Sequence, residues 1–305
     1  MDCTGRQLSS TPGNLRGDTE ELFLDDNTIQ VLSNASLLLY PQLWHLSLTR
    51  NRLELIEPGA FLSSQGLEVL SLTDNLNLSS LRLLDMSQNQ VWGLPDDFLE
   101  DPLAMLTELD LSQNQLVELG VKVGFGDILP NLQLFNLSTN RLQALPPGIF
   151  THSRRITTLD LSRNRVDLCP QPGEARSLPC VDIRGVETLT HLSLAGCGLQ
   201  GLSSRPFQGT SLRHLDLSDN RQVLSGDLGW LQDLVLTLQV LSLRNTSLSP
   251  TAVDFSALHS LVRLDLSGNS LAAFPASLGA LRLRSLDLRD NLFKARLEQA
   301  RSSLM

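Results

Sequence analysis

A repeated leucine pattern constrains the fold of this chain more than any other feature. Residues 106–119 read LTELDLSQNQLVEL, and their core has the form L-x-x-L-x-L-x-x-N-x-L. Related segments recur from near the first residue to near the last. A unit of this size cannot bury its apolar face alone, so successive units must stack into one elongated core. The pattern therefore predicts a stack of similar coils.

The motif is that of leucine-rich repeats, and it predicts an α/β solenoid. We expect a curved arc with parallel strands on the concave face and short helical, 3₁₀ or extended segments on the convex face. Alignment on the asparagine of the motif gives about twelve coils within residues 19–293. Asparagine amides at this position should satisfy buried backbone groups of neighbouring coils, and cysteine or threonine is a weaker substitute. The predicted structural positions are Asn27, Asn51, Asn75, Asn89, Asn114, Asn140, Asn164, Cys197, Asn220, Thr246, Asn269 and Asn291.

Two spacings between these positions are abnormal. Most successive coils are 22 to 26 residues apart, but Asn75 and Asn89 are separated by 14 and Asn164 and Cys197 by 33. We interpret the short interval as an irregular junction near residues 75–81 that joins two stretches once further apart. A strongly compressed coil is the alternative. The long interval carries an insertion.

Cys169 and Cys180 bracket that insertion, which is rich in proline and glycine. Two cysteines around such a loop can close into a disulfide, whereas no histidine–cysteine spacing supplies a metal site. A disulfide implies an oxidising compartment. At the chain ends, residues 1–18 look like part of an N-terminal cap, and residues 294–305 form a tail without a cap or transmembrane helix.

The charge balance and the scattered polar residues exclude several functions. The net charge of −9 and the pI near 5.0 argue against a nucleic-acid binder, because phosphate contacts require clustered Lys and Arg. His191 and His214 lie one coil apart and could be neighbours, but no nucleophile or carboxylate is fixed beside them. We therefore predict no catalytic, metal or cofactor-binding residues, and a protein that is not an enzyme.

Outward strand positions are the candidates for binding a partner. An aspartate recurs in the L-D-L context, and we interpret it mainly as a repeat consensus that keeps the strand face soluble. An acidic surface for a basic partner is the alternative. Residues that vary between coils are better contact candidates, because variation is where specificity can reside. They are Trp44, His45, Arg50, Arg213, His214, Arg244, Arg263 and Arg284.

Four sequons add to the case for the secretory pathway. They place candidate glycosylation sites at Asn34, Asn77, Asn136 and Asn245. Chance matches are common where the repeat itself generates N-L-S. Together with the cysteine-bracketed loop, the sequons favour a secreted or lumenal protein, although no signal peptide or membrane anchor is visible in the chain.

Long blocks of the chain resemble one family of leucine-rich-repeat proteins. The run LQLFNLSTNRLQALPPGIFTHSRRITTLDLSRNRVDLCP over residues 132–170, CVDIRG at 180–185 and PFQGTSLRHLDLSDN at 206–220 carry the resemblance. The family contains the negative regulator of reactive oxygen species and its paralogue, the glycoprotein-A-repetitions-predominant protein. Relative to that family, the chain looks truncated or internally shortened.

The resemblance implies a membrane glycoprotein, at the cell surface or in the endoplasmic reticulum lumen, that binds and tethers latent transforming growth factor beta for its activation. The alternatives that it leaves open are a regulator that contacts Toll-like receptors or NADPH-oxidase subunits, and an inactive truncated product. Family members link to the growth-factor precursor through cysteines in their middle repeats. This chain has no cysteine between Cys3 and Cys169, so a covalent link is not implied.

Overall fold

The computed structural model describes residues 1–57, 59–64, 66–72, 74–75, 81–93, 103–119, 125–170, 179–202, 205–222, 229–248 and 254–293. The strands are β1 Glu21–Phe23, β2 Val31–Leu32, β3 His45–Ser47, β4 Leu55–Ile56, β5 Val69–Ser71, β6 Leu83–Asp85, β7 Glu108–Asp110, β8 Leu134–Asn136, β9 Thr158–Asp160, β10 His191–Ser193, β11 His214–Asp216, β12 Val240–Ser242, β13 Arg263–Asp265 and β14 Ser285–Asp287. One single-turn helix, α1 (Phe125–Ile128), and two 3₁₀ segments, Gly229–Leu234 and Ala276–Ala280, complete the regular structure of these residues.

All the strands pair in parallel, each with the equivalent strand of a neighbouring coil. A long sheet runs from β6 to β14 in chain order, and a short sheet contains β1, β3 and β5. A separate pair, β2 and β4, lies outside both. In register, Leu84 lies beside Leu109, and Leu215 lies between Leu192 and Leu241. The chain is therefore a leucine-rich-repeat solenoid with little helix, as its sequence pattern predicts.

The strands are short because only a few residues of each coil alternate between core and solvent. In most of them the middle residue is buried and its two neighbours are half exposed, which is the period of two expected for a strand with one wet face. Leu109 and Leu111 are both completely buried, and their counterparts in other coils continue the same core. Aromatic side chains such as Phe125 and Phe207 fill the wider space behind the strands.

The asparagine of each coil connects it to its neighbour. The Nδ2 of Asn140 donates to Leu111 O of the preceding coil at 2.9 Å and to Leu137 O of its own coil at 3.0 Å. Its Oδ1 accepts the backbone N–H of Leu116 at 2.9 Å. The substitute Cys197 makes a single close contact of this kind, from its thiol to Leu161 O at 3.2 Å. These bonds satisfy backbone groups that would otherwise be buried without a partner.

The residue before each of these positions has a left-handed backbone. It turns the chain out of the strand and into the outer layer. Glycine adopts this conformation freely, as at Gly196, but Thr139 is β-branched and adopts it at a cost. The row contains Asp26, Arg50, Asp74, Gln88, Gln113, Thr139, Arg163, Gly196, Asp219, Asn245, Gly268 and Asp290, with φ between 51° and 68°.

The ladder of hydrogen bonds is interrupted between β5 and β6, which pair with each other nowhere in the described residues. Among the described residues, the Nδ2 of Asn89 donates only within its own coil, to Met86 O and Ser87 O at 3.0 Å each. Its Oδ1 is buried and has no hydrogen-bond partner in the described part of the chain. The break falls at the short interval seen in the sequence. Residues 76–80 of that junction lie outside the described residues, so its origin as a join stays a hypothesis.

The N-terminal segment runs alongside the first strand. Asp2 bridges to Phe23, and the backbone N–H of Cys3 donates to Phe23 O at 2.8 Å. Asn27 closes the contact through its Nδ2, which donates to Cys3 O at 3.0 Å. The predicted C-terminal tail, residues 294–305, lies outside the described residues. Within them, no helix is long and apolar enough to cross a membrane.

Candidate protein-binding surface

The exposed side of the long sheet, which we call the strand face, is built from chemically distinct rows. The third residue of each strand forms the aspartate row. This row contains Asp85, Asp110, Asn136, Asp160, Ser193, Asp216, Ser242, Asp265 and Asp287, in strand order. Because parallel strands are about 4.8 Å apart, neighbouring members of the row are close enough to contact one ligand together.

One oxygen of each carboxylate in the aspartate row has a structural role. The Oδ1 of Asp160 accepts the backbone N–H of Ser162 at 2.8 Å, and Asp265 accepts that of Ser267 at 2.9 Å. Such a bond to the residue two positions on is an Asx turn, and it ends the strand. The recurring aspartate thus has a structural role at the end of each strand, and its role in solubility stays an interpretation. At Asp287, hydrogen bonds from Arg289 lower the pKa of the carboxyl to about 2.

An open groove of about 670 Å³ lies along the ends of these strands. Asp160, Asp216 and Asp265 line it together with several serines, and Arg163 and Arg244 also line it. The groove passes over the eighth coil, where the small residues Ala195 and Gly196 leave space above the backbone. It is polar, and its groups can form hydrogen bonds and ion pairs. The described residues contain no cluster of three candidate metal ligands.

A second row follows the other end of the strands and carries positive charge. We call it the basic edge and define it by His191, Arg213, His214, Arg263 and Arg284. The three arginines are exposed, and within the described residues none of them has a salt bridge. The predicted contact candidate Arg244 lies apart from this edge, at the groove.

The two histidines of the basic edge touch each other. Their ring centroids are 4.1 Å apart in an edge-to-face arrangement, and the Nδ1 of His191 is 2.9 Å from the Thr190 hydroxyl. Burial lowers the pKa of His214, and the positive fields of His191, Arg263 and Arg213 lower it further. Both effects favour the neutral imidazole of His214.

The early contact candidates form a different group on the short sheet. Trp44 packs on His45 with ring centroids 5.5 Å apart, and His45 packs on Phe23 at 4.9 Å. Arg50 forms two bonds to Asp26, at 2.6 and 2.8 Å, and this pairing raises the pKa of the guanidinium. The structure therefore gathers His214 with Arg213, Arg263 and Arg284, but leaves the early residues beyond the sheet break.

The candidate glycosylation sites differ in their exposure and in the hydrogen bonds of their side-chain amides. Asn34 is exposed in a turn, whereas the Nδ2 of Asn136 donates to Asp110 Oδ2 at 2.9 Å on the strand face. Asn245 donates to Asp219 Oδ1 at 2.8 Å. Asn77 lies outside the described residues. Glycosylation at any of these positions stays a prediction, and the geometry favours Asn34.

Cys169 and Cys180 form a disulfide with their Cα atoms 5.0 Å apart, as the sequence predicts. The base of the loop is also held by backbone bonds, from Cys169 N to Val181 O at 3.0 Å and from Val181 N to Asp167 O at 2.8 Å. The insertion is thus fixed to the solenoid at both of its ends. The loop residues 171–178 lie outside the described residues.

Comparison with known proteins agrees with this geometry. The leucine rich repeat family profile matches residues 104–166, and a second leucine rich repeat profile matches residues 260–281. Tsukushi of Mus musculus is 32% identical over an alignment of 256 residues that covers 77% of this chain and 67% of that protein. The chain belongs to the leucine-rich-repeat family.

Two further relatives are larger proteins. Transforming growth factor beta activator LRRC33 of Danio rerio is 39% identical over an alignment of 238 residues that covers 70% of this chain and 34% of that protein. Transforming growth factor beta activator LRRC32 of Pongo abelii is 31% identical over a gapped alignment of 333 residues that covers 96% of this chain and 49% of that protein. This leucine-rich-repeat chain thus spans half or less of the length of these two relatives.

A solved structure shows the same architecture. The structure of the TLR13-ssRNA13 complex superposes with a TM-score of 0.54 and 23% sequence identity, over 94% of this chain and 49% of that one. At this level of identity the similarity concerns the fold alone.

The groove is the part of the surface that sequence inspection missed. Its signal was present in the leucine-rich repeats, since the eighth coil has Ala195 and Gly196 where the seventh has Ser162 and Arg163. Aligning the coils by their outward positions, and not only by their leucines, exposes this depression. The basic edge, in contrast, could be found from varying charges at equivalent strand positions.

Proposed function

We propose that this chain is a protein-binding leucine-rich-repeat ectodomain that binds the latent transforming growth factor beta precursor, and that it acts by docking and not by catalysis. The observation that carries the proposal is its similarity, over 96% of its length, to transforming growth factor beta activator LRRC32. The polar strand face offers many hydrogen-bonding and charged groups, which is typical of a wet protein interface.

The Cys169–Cys180 disulfide supports the compartment in which this would happen. Structural disulfides persist in oxidising environments, so we place the chain outside the cell or in the endoplasmic reticulum lumen. The described free cysteines offer little for a covalent link to a partner. Cys197 is buried and burial raises its pKa to about 12, which suppresses the reactive thiolate. Cys3 is half buried.

The test is co-expression in a secretory host of the chain, carrying a cleavable signal peptide, with the latent precursor, followed by affinity capture of the chain. We expect the precursor to be captured in a complex that separates in detergent without a reducing agent. Tsukushi, tagged in the same way, is the matched leucine-rich-repeat control. Capture of no precursor by properly folded chain would refute the proposal. Capture of a Toll-like receptor or of NADPH-oxidase subunits without the growth factor would support the alternative instead.

A further inference from the structure

The basic edge has a pattern of charge that points to one kind of ligand. Arg213, Arg263 and Arg284 belong to the ninth, eleventh and twelfth coils and are all exposed. With about 4.8 Å between strands, they span roughly 14 Å, which is the length of four to five extended residues. These guanidinium groups have no salt bridge within the described residues, and at this spacing they are suited to carboxylates, which they bind through two parallel hydrogen bonds.

Apolar side chains lie between these arginines. Val240 is in register between His214 and Arg263, and Val262 precedes Arg263 in the next coil. Both valines are half exposed. A ligand that follows this edge therefore meets apolar groups beside the charged ones.

The aspartate row limits the ligand to a narrow one. Asp216, Asp265 and Asp287 lie two or three residues further along the chain than the basic edge, roughly 7–10 Å from it. A nucleic acid or a sulfated polysaccharide is broader than the edge and would bring its negative charges close to these carboxylates. A single extended protein segment is narrow enough to contact the edge alone.

We propose that the basic edge binds an extended acidic segment of a protein partner, with carboxylates at Arg213, Arg263 and Arg284 and apolar side chains on Val240 and Val262. The inference rests on the proposed function only in taking a protein as the ligand. It names the surface and the chemistry of the segment that the surface accepts.

The histidine pair makes this binding sensitive to pH. Arg213 and Arg263 lie close enough for their charges to act on His214, and Asp160 and Asp216 end the strands β9 and β11 beside the pair. In the free protein, burial, the ring contact with His191 at 4.1 Å and the two arginines oppose protonation of His214. A bound carboxylate reverses that balance, so acid adds positive charge to the edge and strengthens binding.

The probe is a fluorescein-labelled peptide of alternating glutamate and valine, and its control is the same peptide with glutamine in place of glutamate. Fluorescence anisotropy with the full chain should show that the glutamate peptide binds at least about 5-fold more tightly. The variant Arg263→Glu/Arg284→Glu should weaken binding by about 10-fold or more. Arg141→Glu/Arg165→Glu changes charge equally at exposed positions beyond the asparagine turn and should leave binding unchanged.

The pH arm uses the variant His191→Gln/His214→Gln. Binding by the native chain should strengthen about 3-fold or more between about pH 7.5 and pH 5.5, and this gain should disappear in the variant. Thermal melting checks that each variant is folded, and Arg263→Gln/Arg284→Gln replaces the charge reversal if that variant does not fold.

Three results would overturn the inference: no binding of the glutamate peptide, equal weakening by both arginine pairs, or tighter binding of a heparin fragment at the same edge. Loss of precursor capture with peptide binding intact would refute only the proposed function. Retained capture with no peptide binding would refute only this inference.

Discussion

The interrupted ladder at Asn89 predicts that two chemically identical substitutions will differ in their effect on stability. Asn89 and Asn140 occupy the same position of their coils and are both buried, with 5% and 8% of their surface exposed. Asn140 bonds to the preceding coil through both ends of its amide. Asn89 does so through neither end in the described residues, so Asn89→Ala is a matched control for Asn140→Ala.

The magnitude follows from the groups that each substitution leaves behind. In Asn140→Ala, the buried N–H of Leu116 loses its acceptor, which costs about 1–3 kcal/mol, and each lost bond adds about 0.5–1.5 kcal/mol. Leu111 O keeps a partner in Asn114. We expect a total loss of roughly 3 kcal/mol. In Asn89→Ala, two bonds within the coil are lost but an unpaired buried oxygen is removed, so we expect about 1 kcal/mol or less.

Urea unfolding followed by circular dichroism measures both losses, with unchanged m-values as the condition for comparing midpoints. Hydrogen exchange at the Leu116 amide gives an independent local readout, since its protection should fall in Asn140→Ala and persist in Asn89→Ala. Equal destabilisation of the two variants, or unchanged protection of Leu116 in Asn140→Ala, would refute the reasoning that Asn89 is uncoupled from the coil before it.

Four further predictions follow from individual positions. Cys197→Asn should restore the missing amide bonds and raise the unfolding free energy by about 1 kcal/mol in urea. Replacing both Cys169 and Cys180 with serine should lower it by roughly 2–3 kcal/mol, because the closed loop is short. Thr139→Asn should raise it by about 0.5–1 kcal/mol, since asparagine tolerates the left-handed backbone. The lowered pKa of His214 gives stability that is complete above the ordinary histidine pKa and is lost as pH falls through the lowered value. The melting temperature of the His214→Gln variant should therefore change less between about pH 7 and pH 5 than that of the native chain.

The regular part of the fold could be predicted because it is local and repeated. Leu109 and Leu111 are buried for the reason their spacing indicates, and the same reason holds in each coil. The disulfide between Cys169 and Cys180 could be predicted equally well, since two cysteines bracket one loop. The left-handed backbone of Thr139 could not be predicted, because threonine disfavours this conformation and only its place before an asparagine imposes it.

The functional surface was harder to predict because it depends on which coils become neighbours. Trp44 directly precedes β3 and Arg263 begins β13, and the sequence ranks these two outward residues equally as contact candidates. The structure separates them, since the sheet break isolates the short sheet that carries Trp44 from the long sheet that carries Arg263. Arg50 is also a weaker candidate for contact with a partner, because its guanidinium is paired with Asp26. Both the separation of Trp44 from Arg263 and the pairing of Arg50 with Asp26 depend on which coils are neighbours. The sequence of a single coil does not encode this.

The break also bears on how stability and binding are distributed in the solenoid. In a repeat array, the coupling between neighbouring coils holds the stack together, and a weak interface divides it into units that respond separately. The leucine core is continuous past the break, because Leu67 and Leu84 belong to the same buried cluster. The backbone ladder is not continuous, and Gln90 N donates instead to Leu67 O at 3.0 Å. Apolar contact is non-directional and tolerates such a shift, whereas the asparagine ladder requires register. The groove and the basic edge both lie on the long sheet, where register is unbroken from β6 to β14, so their side chains are held at fixed spacing for a partner.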